Sequence, residues 1–226
     1  MARTLADYGT FFREFRRNFH TTGSILPSSG YLATALAKPV KNRAEGDKGP
    51  RKILEVGPGS GAVTEKILAA LGPEDHLDLV EINEDFVTLL HRRLAEEPAW
   101  QAVAERVQVK HQRIEELVGE TPYDVIISGL PLNNFSVAAV DQILTTLSQL
   151  ARPGGQLSFF EYIYIRNLRS LVSNRDDRTR LRGITGLLNK LFQHEQRRDS
   201  VWLNFPPAWV HHVVYPAKTE HEESPT

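Results

Sequence analysis

The stretch "ILEVGPGSGAVTEKI", residues 53–67, decides how the rest of the chain is read. An apolar segment runs into Glu55. Glycines follow at 57, 59 and 61, and a helical pattern begins directly after them. Glycines at a strand-to-helix turn let the backbone bend sharply and approach a ligand closely. Twenty residues beyond Gly61, Glu81 closes a second apolar segment, "HLDLVEI". An acid at that point can accept hydrogen bonds from both hydroxyls of a ribose.

Working outward, strand and helix patterns alternate as in a parallel, doubly wound sheet. "KILEVG" is the first strand and "GAVTEKILAAL" its helix. "HLDLVEI" is followed by the helix "EDFVTLLHRRLAEE". "VQVKHQ" and "YDVIIS" are strands three and four. "VAAVDQILTTLSQL" is a helix and "GQLSFFEYIYI" strand five. A basic helical segment covers about 166–192. "HEQRRDSVWLNF" and "WVHHVVYP", joined by a short "PPA" turn, make a terminal antiparallel hairpin. Upstream, "SGYLATALAK" reads as a helix capped by Ser28 or Ser29 and stopped by Pro39. The chain divides into an N-terminal helical extension (1–45), a main domain (46–218) and a polar tail (219–226).

Composition narrows the function classes. The 226 residues suffice for one α/β domain with a real core. No apolar run reaches the ~18 residues of a spanning helix, and the first twenty residues lack the apolar region of a secretory leader. With no cysteine, disulfides and thiolate metal sites are excluded. Ten Lys/Arg against four Asp/Glu in residues 1–52 give that segment a net charge of +6, whereas the remainder carries −7. A basic front on a near-neutral protein points to an anionic partner, and a solvated charged surface is the plain alternative.

Two ligand classes fit the glycine loop. Gly57, Gly59 and Ala62 satisfy the G-x-G-x-x-G/A dinucleotide pattern. An S-adenosylmethionine site is the other. Glu55, so close to the loop, would repel a pyrophosphate but suits the cationic methionine end of that cofactor.

"LEVGPGSGAVT", "LVEIN", "YDVIISGLPLNN" and "LARPGGQLSFFEY" together resemble the class I S-adenosylmethionine-dependent methyltransferases, over about residues 20–216. The resemblance implies a Rossmann-like seven-stranded sheet with a terminal antiparallel hairpin. By motif it places the cofactor against Glu55, Gly57, Gly59, Gly61, Glu81, Ile82, Arg113, Ile114, Ser128, Gly129 and Leu130, leaving S-adenosylhomocysteine as product. The family often has an acid where Arg113 stands.

Two subfamilies share the upstream helix and the "LP" after strand four. The ribosomal RNA adenine dimethylases carry Asn-Leu-Pro-aromatic there; here Gly129 and Leu132 take the asparagine and aromatic positions. The bacterial phospholipid N-methyltransferases of the PmtA type are the closer match, through "FFREFRRNFHTTGSILPSSGYLATALAKPV" and "SGLPLNNF". That resemblance implies methylation of phosphatidylethanolamine and its mono- and dimethyl forms to phosphatidylcholine, at the inner face of the cell membrane, by a cytoplasmic, peripheral enzyme with no metal and no nucleic acid. A binding module that keeps the fold without catalysis is the reading of a different class.

On a helix over 3–20, Tyr8, Phe11, Phe12, Phe15 and Phe19 fall within an arc of about 100°, with Arg16 at its edge. Such a stripe suits an anionic lipid interface; packing on the core is the alternative. Tyr31, Phe135, Tyr162 and Tyr164 are candidate aromatic walls for a methylated ammonium. Tyr31 and Asn133 are the catalytic candidates, since they lie in the two motifs flanking the methyl group.

Overall fold

The structure, a computed structural model, describes residues 29–43, 49–117, 121–163 and 175–216. The expected helix over 3–20, with its aromatic stripe, lies outside the described residues, as do Tyr164, residues 166–174 and the polar tail.

The glycine-loop strand sits at the centre of the sheet. β1 (Lys52–Val56) pairs in parallel with β2 (His76–Glu81) on one side and β4 (Tyr123–Ser128) on the other. β3 (Val107–His111) lies outside β2, and β5 (Ala151–Tyr162) outside β4. The last two strands, β6 (Glu195–Val201) and β7 (Ala208–Val214), form a hairpin whose β7 pairs antiparallel with β5. The order is β3-β2-β1-β4-β5-β7-β6, the seven-stranded Rossmann-like sheet with a terminal antiparallel pair that the resemblance implies.

Strand alternation divides the core between the two faces of this sheet. Leu54, Val56, Ile126, Leu157 and Phe159 face α6 (Val137–Leu150) and α7 (Arg175–Phe192). Ile53, Val125, Ile127, Phe160 and Val210 face the opposite layer. That layer holds α1 (Gly30–Leu36), α2 (Lys38–Lys41), α3 (Ala62–Leu68), α4 (Glu84–Glu96) and α5 (Pro98–Gln101).

Ser29 caps α1, its side chain accepting the Leu32 N–H at 3.2 Å. Pro39 does not end the helical segment. After a break at Ala37 it occupies the first turn of α2, where a missing N–H costs nothing because that donor has no helical partner anyway.

Three ties fix this layer to the sheet. Arg51 donates to Val40 O at 3.0 Å and pairs with buried Asp75 at 2.7 Å. Lys38 reaches Asp199 at 2.8 Å, and Asp199 takes His212 Nε2 at 3.1 Å, whose Nδ1 lies 2.6 Å from Ser158 Oγ. Burial disfavours the Asp199 anion, but the bonds from Lys38, Arg197 and His212 outweigh that and hold its pKa down at about 2. Although Ser158, His212 and Asp199 form a serine–histidine–aspartate chain, Ser158 is fully buried, so the chain is a brace across β5, β7 and β6. The third tie runs from Ser29 N–H to Asn204 Oδ1, at 3.1 Å.

The terminal hairpin differs from expectation in its turn. β6 ends at Val201 rather than continuing to Phe205, so residues 202–207 form the connection. Asn204 folds inward, donating from Nδ2 to Pro206 O at 2.7 Å, and Pro206 and Pro207 have no N–H for a ladder.

Candidate active site

β1, β2 and β4 end side by side, and their carboxyl ends build the site. Gly57 N–H donates to Val80 O at 2.9 Å and Gly129 N–H to Val56 O at 2.8 Å, so the turns after β1 and β4 are locked to neighbouring strand ends. Gly57, Gly59 and Gly61 have φ of 71°, 55° and 86°, the left-handed region that side chains disfavour. A Cβ at Gly57 would lie 2.8 Å from Leu130 Cδ2, and one at Gly61 2.7 Å from the Trp100 ring. Above Gly59 a Cβ would meet nothing within 4 Å. The loop is therefore packed at both ends and open in the middle.

Two carboxylates stand behind the loop. Glu81 accepts the Ile82 and Asn83 N–H groups on Oε1, both at 2.9 Å, and the Gly59 N–H on Oε2 at 3.1 Å. Burial pushes its pKa up against these three bonds. A carboxylate offers about four lone-pair sites, so it keeps acceptor capacity for a hydroxyl. Glu55 is buried beneath the loop, where the Thr64 hydroxyl donates to it at 2.7 Å. Burial pushes its pKa from 4.5 to about 8; the Thr64 bond works against this and the Glu81 charge adds to it.

The other expected residues are arranged around these. Ile82 is half-buried, with its carbonyl 3.1 Å from His111 Nε2. Ile114 is buried, and Arg113 leads into its short turn, pairing with Glu115 at 3.4 Å. Ser128, the last residue of β4, and Leu130 after it are buried, with Ser128 Oγ accepting the Leu130 N–H at 3.4 Å. Asn133 is buried in the turn 132–134. Tyr31 is 62% exposed and sits by the hairpin turn, because its neighbour Ser29 bonds Asn204. Of the aromatic candidates, Phe135 is fully buried among Leu132, Ala139 and Val140, so it is core and not a wall. Tyr162 is half-buried, edge-on to Phe160 at 5.1 Å.

Gly129 has a further role. A Cβ there would lie 2.7 Å from Gly57 O, a backbone atom held by the sheet. The asparagine that adenine dimethylases carry at this position has no room on this backbone.

Three supporting residues were not foreseen from sequence. Thr64, one turn into α3, is the partner of Glu55. Arg93 clamps the loop from outside: Nη1 donates to Ser60 O at 2.7 Å, the guanidinium lies 4.3 Å over Trp100, and it pairs with Glu97 and Glu65. Arg180 on α7 donates to Asn133 O at 2.7 Å and Phe135 O at 2.9 Å, fixing the turn after β4. Only Thr64 had a local signal, its place one helical turn after the last glycine.

A family model described as a methyltransferase domain matches residues 54–157. The ornithine lipid N-methyltransferase of Singulisphaera acidiphila is 25% identical over 170 residues, which span 73% of this chain and 84% of that protein. The O-methyltransferase TomG of Streptomyces achromogenes, solved with S-adenosylmethionine, has the same fold at a TM-score of 0.57 and 19% identity, over 82% of this chain and 79% of its own. An O-methyltransferase of Bacillus cereus, solved with S-adenosylhomocysteine, aligns at a TM-score of 0.57 and 15% identity, over 92% and 90%. The donor set fits the cofactor: open space over Gly59, an acceptor at Glu81 and an anion-forming group at Glu55. S-adenosylmethionine and S-adenosylhomocysteine are the ligands of those two solved neighbours, and the residues here leave room and partners for such a molecule.

Proposed function

We propose that this S-adenosylmethionine-dependent methyltransferase acts on the headgroup amine of a membrane lipid, with phosphatidylethanolamine and its partly methylated forms as substrates. The observation that carries the reading is the likeness to an amino-lipid N-methyltransferase along 84% of that protein's length. Gly129 supports it from the other side, since the backbone around it leaves no place for the asparagine of adenine dimethylases. The same relative's name favours ornithine lipid, another amino-lipid, as the second reading.

When bound, S-adenosylmethionine supplies a methyl group on a sulfonium, which a neutral amine attacks in line. Because no oxyanion would form in such a transfer, the protein needs positioning and water exclusion rather than an oxyanion hole. The chain's own residues are suited to this. Glu81 would hold a ribose through lone pairs pre-oriented by three backbone N–H groups. Glu55, once ionised, stabilises a cationic amine. Leu130 and Ile114 give the site buried apolar walls. Asn133, fixed through Arg180, remains the candidate for steering the substrate amine and its departing proton.

Labelled S-adenosylmethionine offered with vesicles of phosphatidylethanolamine, vesicles of ornithine lipid, or ribosomal RNA tests the reading. Label in either lipid supports it and chooses the headgroup. Label in RNA alone, or in none, overturns it.

A further inference from the structure

Among the described residues, the large hydrophobic side chains that stand exposed are Tyr31, Trp202, Leu203 and Phe205, at 62, 56, 70 and 80%. They are not scattered. Three belong to the β6–β7 turn, and Tyr31 is brought beside it by the Ser29–Asn204 bond. Isolated exposed apolar residues need no explanation, but a cluster of this kind marks an interaction site.

Its position follows from the register. Ser128 at the end of β4 is level with Phe159, Phe159 with His211, and His211 with Arg198. Val56 at the end of β1 lies on the same row. From His211 the strand runs three more residues outward to Ala208, and only then does the turn begin. At ~3.3 Å per residue the turn projects about 10 Å past the ends of β1 and β4. It leaves from the same carboxyl rim as the glycine loop.

The composition of the turn fits a bilayer surface. Trp202 packs edge-on against Trp209 at 6.5 Å, and Arg198 lies 5.1 Å from the Trp209 ring. Tryptophans with apolar neighbours at the tip and arginines behind them are the interfacial pattern, the rings entering the headgroup boundary while the cations stay with phosphate. Arg197 and Arg198 are both exposed on β6. Lys38 and Arg197 share the Asp199 carboxylate, so that cluster adds one net positive charge on the same side. Interfacial elements bury their apolar faces by ~5–10 Å. A turn projecting about 10 Å would thus bring the strand ends to headgroup level.

We infer that the 202–207 turn, with Tyr31, is a wedge that enters an anionic lipid bilayer and sets the cofactor rim against the headgroups. This rests on the amino-lipid reading for its purpose, though not for its geometry.

The test compares the full-length protein with the triple variant Trp202→Gln, Leu203→Gln, Phe205→Gln. Exposed positions leave the fold intact, which an unchanged thermal midpoint and unchanged S-adenosylhomocysteine affinity verify. On phosphatidylethanolamine–phosphatidylglycerol vesicles the variant should partition at least roughly tenfold more weakly, from the loss of two or three buried apolar side chains. Wild-type tryptophan emission should be quenched by lipids brominated in the acyl chain, and a Trp202→Phe variant should lose most of that quenching. Equal flotation of wild type and triple variant overturns the wedge, leaving attachment to residues 1–28. So does a wild-type dimer that the variant dissolves and vesicles do not. Turn-dependent flotation without methyl transfer to any amino-lipid keeps the wedge and removes the substrate reading. Methyl transfer to vesicle lipid that ignores the turn does the reverse.

Discussion

Replacing Glu55 by Gln tests the electrostatics of the site most directly. Glu55 is buried, hydrogen-bonded to Thr64, and has its pKa raised from 4.5 to about 8. A raised carboxyl pKa means that the folded state holds the proton more tightly than the unfolded one. Stability from this group is therefore fully present below pH 4.5 and declines as pH rises toward 8. The interval corresponds to at most about 5 kcal/mol. The glutamine variant, neutral at every pH, should lose less stability than wild type between pH 5 and 8.5 in urea titrations. Cofactor binding has the opposite sign. If the cofactor's ammonium requires the carboxylate, binding below pH 8 must release the Glu55 proton, and affinity for S-adenosylhomocysteine should rise up to about tenfold per pH unit between 6 and 8. Calorimetry in buffers of different ionisation enthalpy would register close to one proton released near pH 6.5. In the variant both the slope and the proton should disappear, with weaker binding at pH 8. A wild-type affinity flat across this window, or a variant with the same slope, would refute the assignment of Glu55 to the cationic end of the cofactor.

Two further substitutions examine the frame of the site. Gly129→Ala forces a Cβ to within 2.7 Å of Gly57 O, so it should cost about 1–3 kcal/mol and weaken S-adenosylhomocysteine binding; thermal melts and calorimetry would show both. Arg93→Ala removes the charge-assisted bond to Ser60 O, worth about 1.5–3 kcal/mol, along with the surface ion pair to Glu97, and should lower the melting temperature by roughly 3–12 °C while loosening the cofactor loop in hydrogen exchange at Gly59–Gly61.

The centre of the fold was legible in the sequence because its signals are local. Glycines at 57, 59 and 61 all take positive φ, and strand-end acids 55 and 81 stand where the spacing put them. The hairpin turn was misread for an equally physical reason. Val201, Leu203 and Phe205 alternate with period two, which is the pattern of a half-buried strand. The structure buries Val201 and exposes the other two, because Asn204 turns inward to Ser29, 175 residues away in sequence. Phe135 looked like a binding-site aromatic because it follows the "LP" motif. It is buried because α6 starts two residues later and its first turns cover it. Arg93 and Arg180 act at separations of 33 and 47 residues, which no window of sequence displays.

With an amino-lipid as the proposed substrate and the proposed wedge in the bilayer, the shared rim of the hairpin turn and the glycine loop bears on how many times one lipid would be methylated. A lipid released from such a site stays in the plane of the bilayer, within reach of an enzyme still seated beside it. The spent cofactor would sit against a loop that is open over Gly59, and its exchange would be with the water phase. Successive methylation then becomes a race between cofactor exchange and lateral diffusion of the lipid, and lengthening the enzyme's residence on the surface would shift products toward the fully methylated form without any change in the catalytic residues.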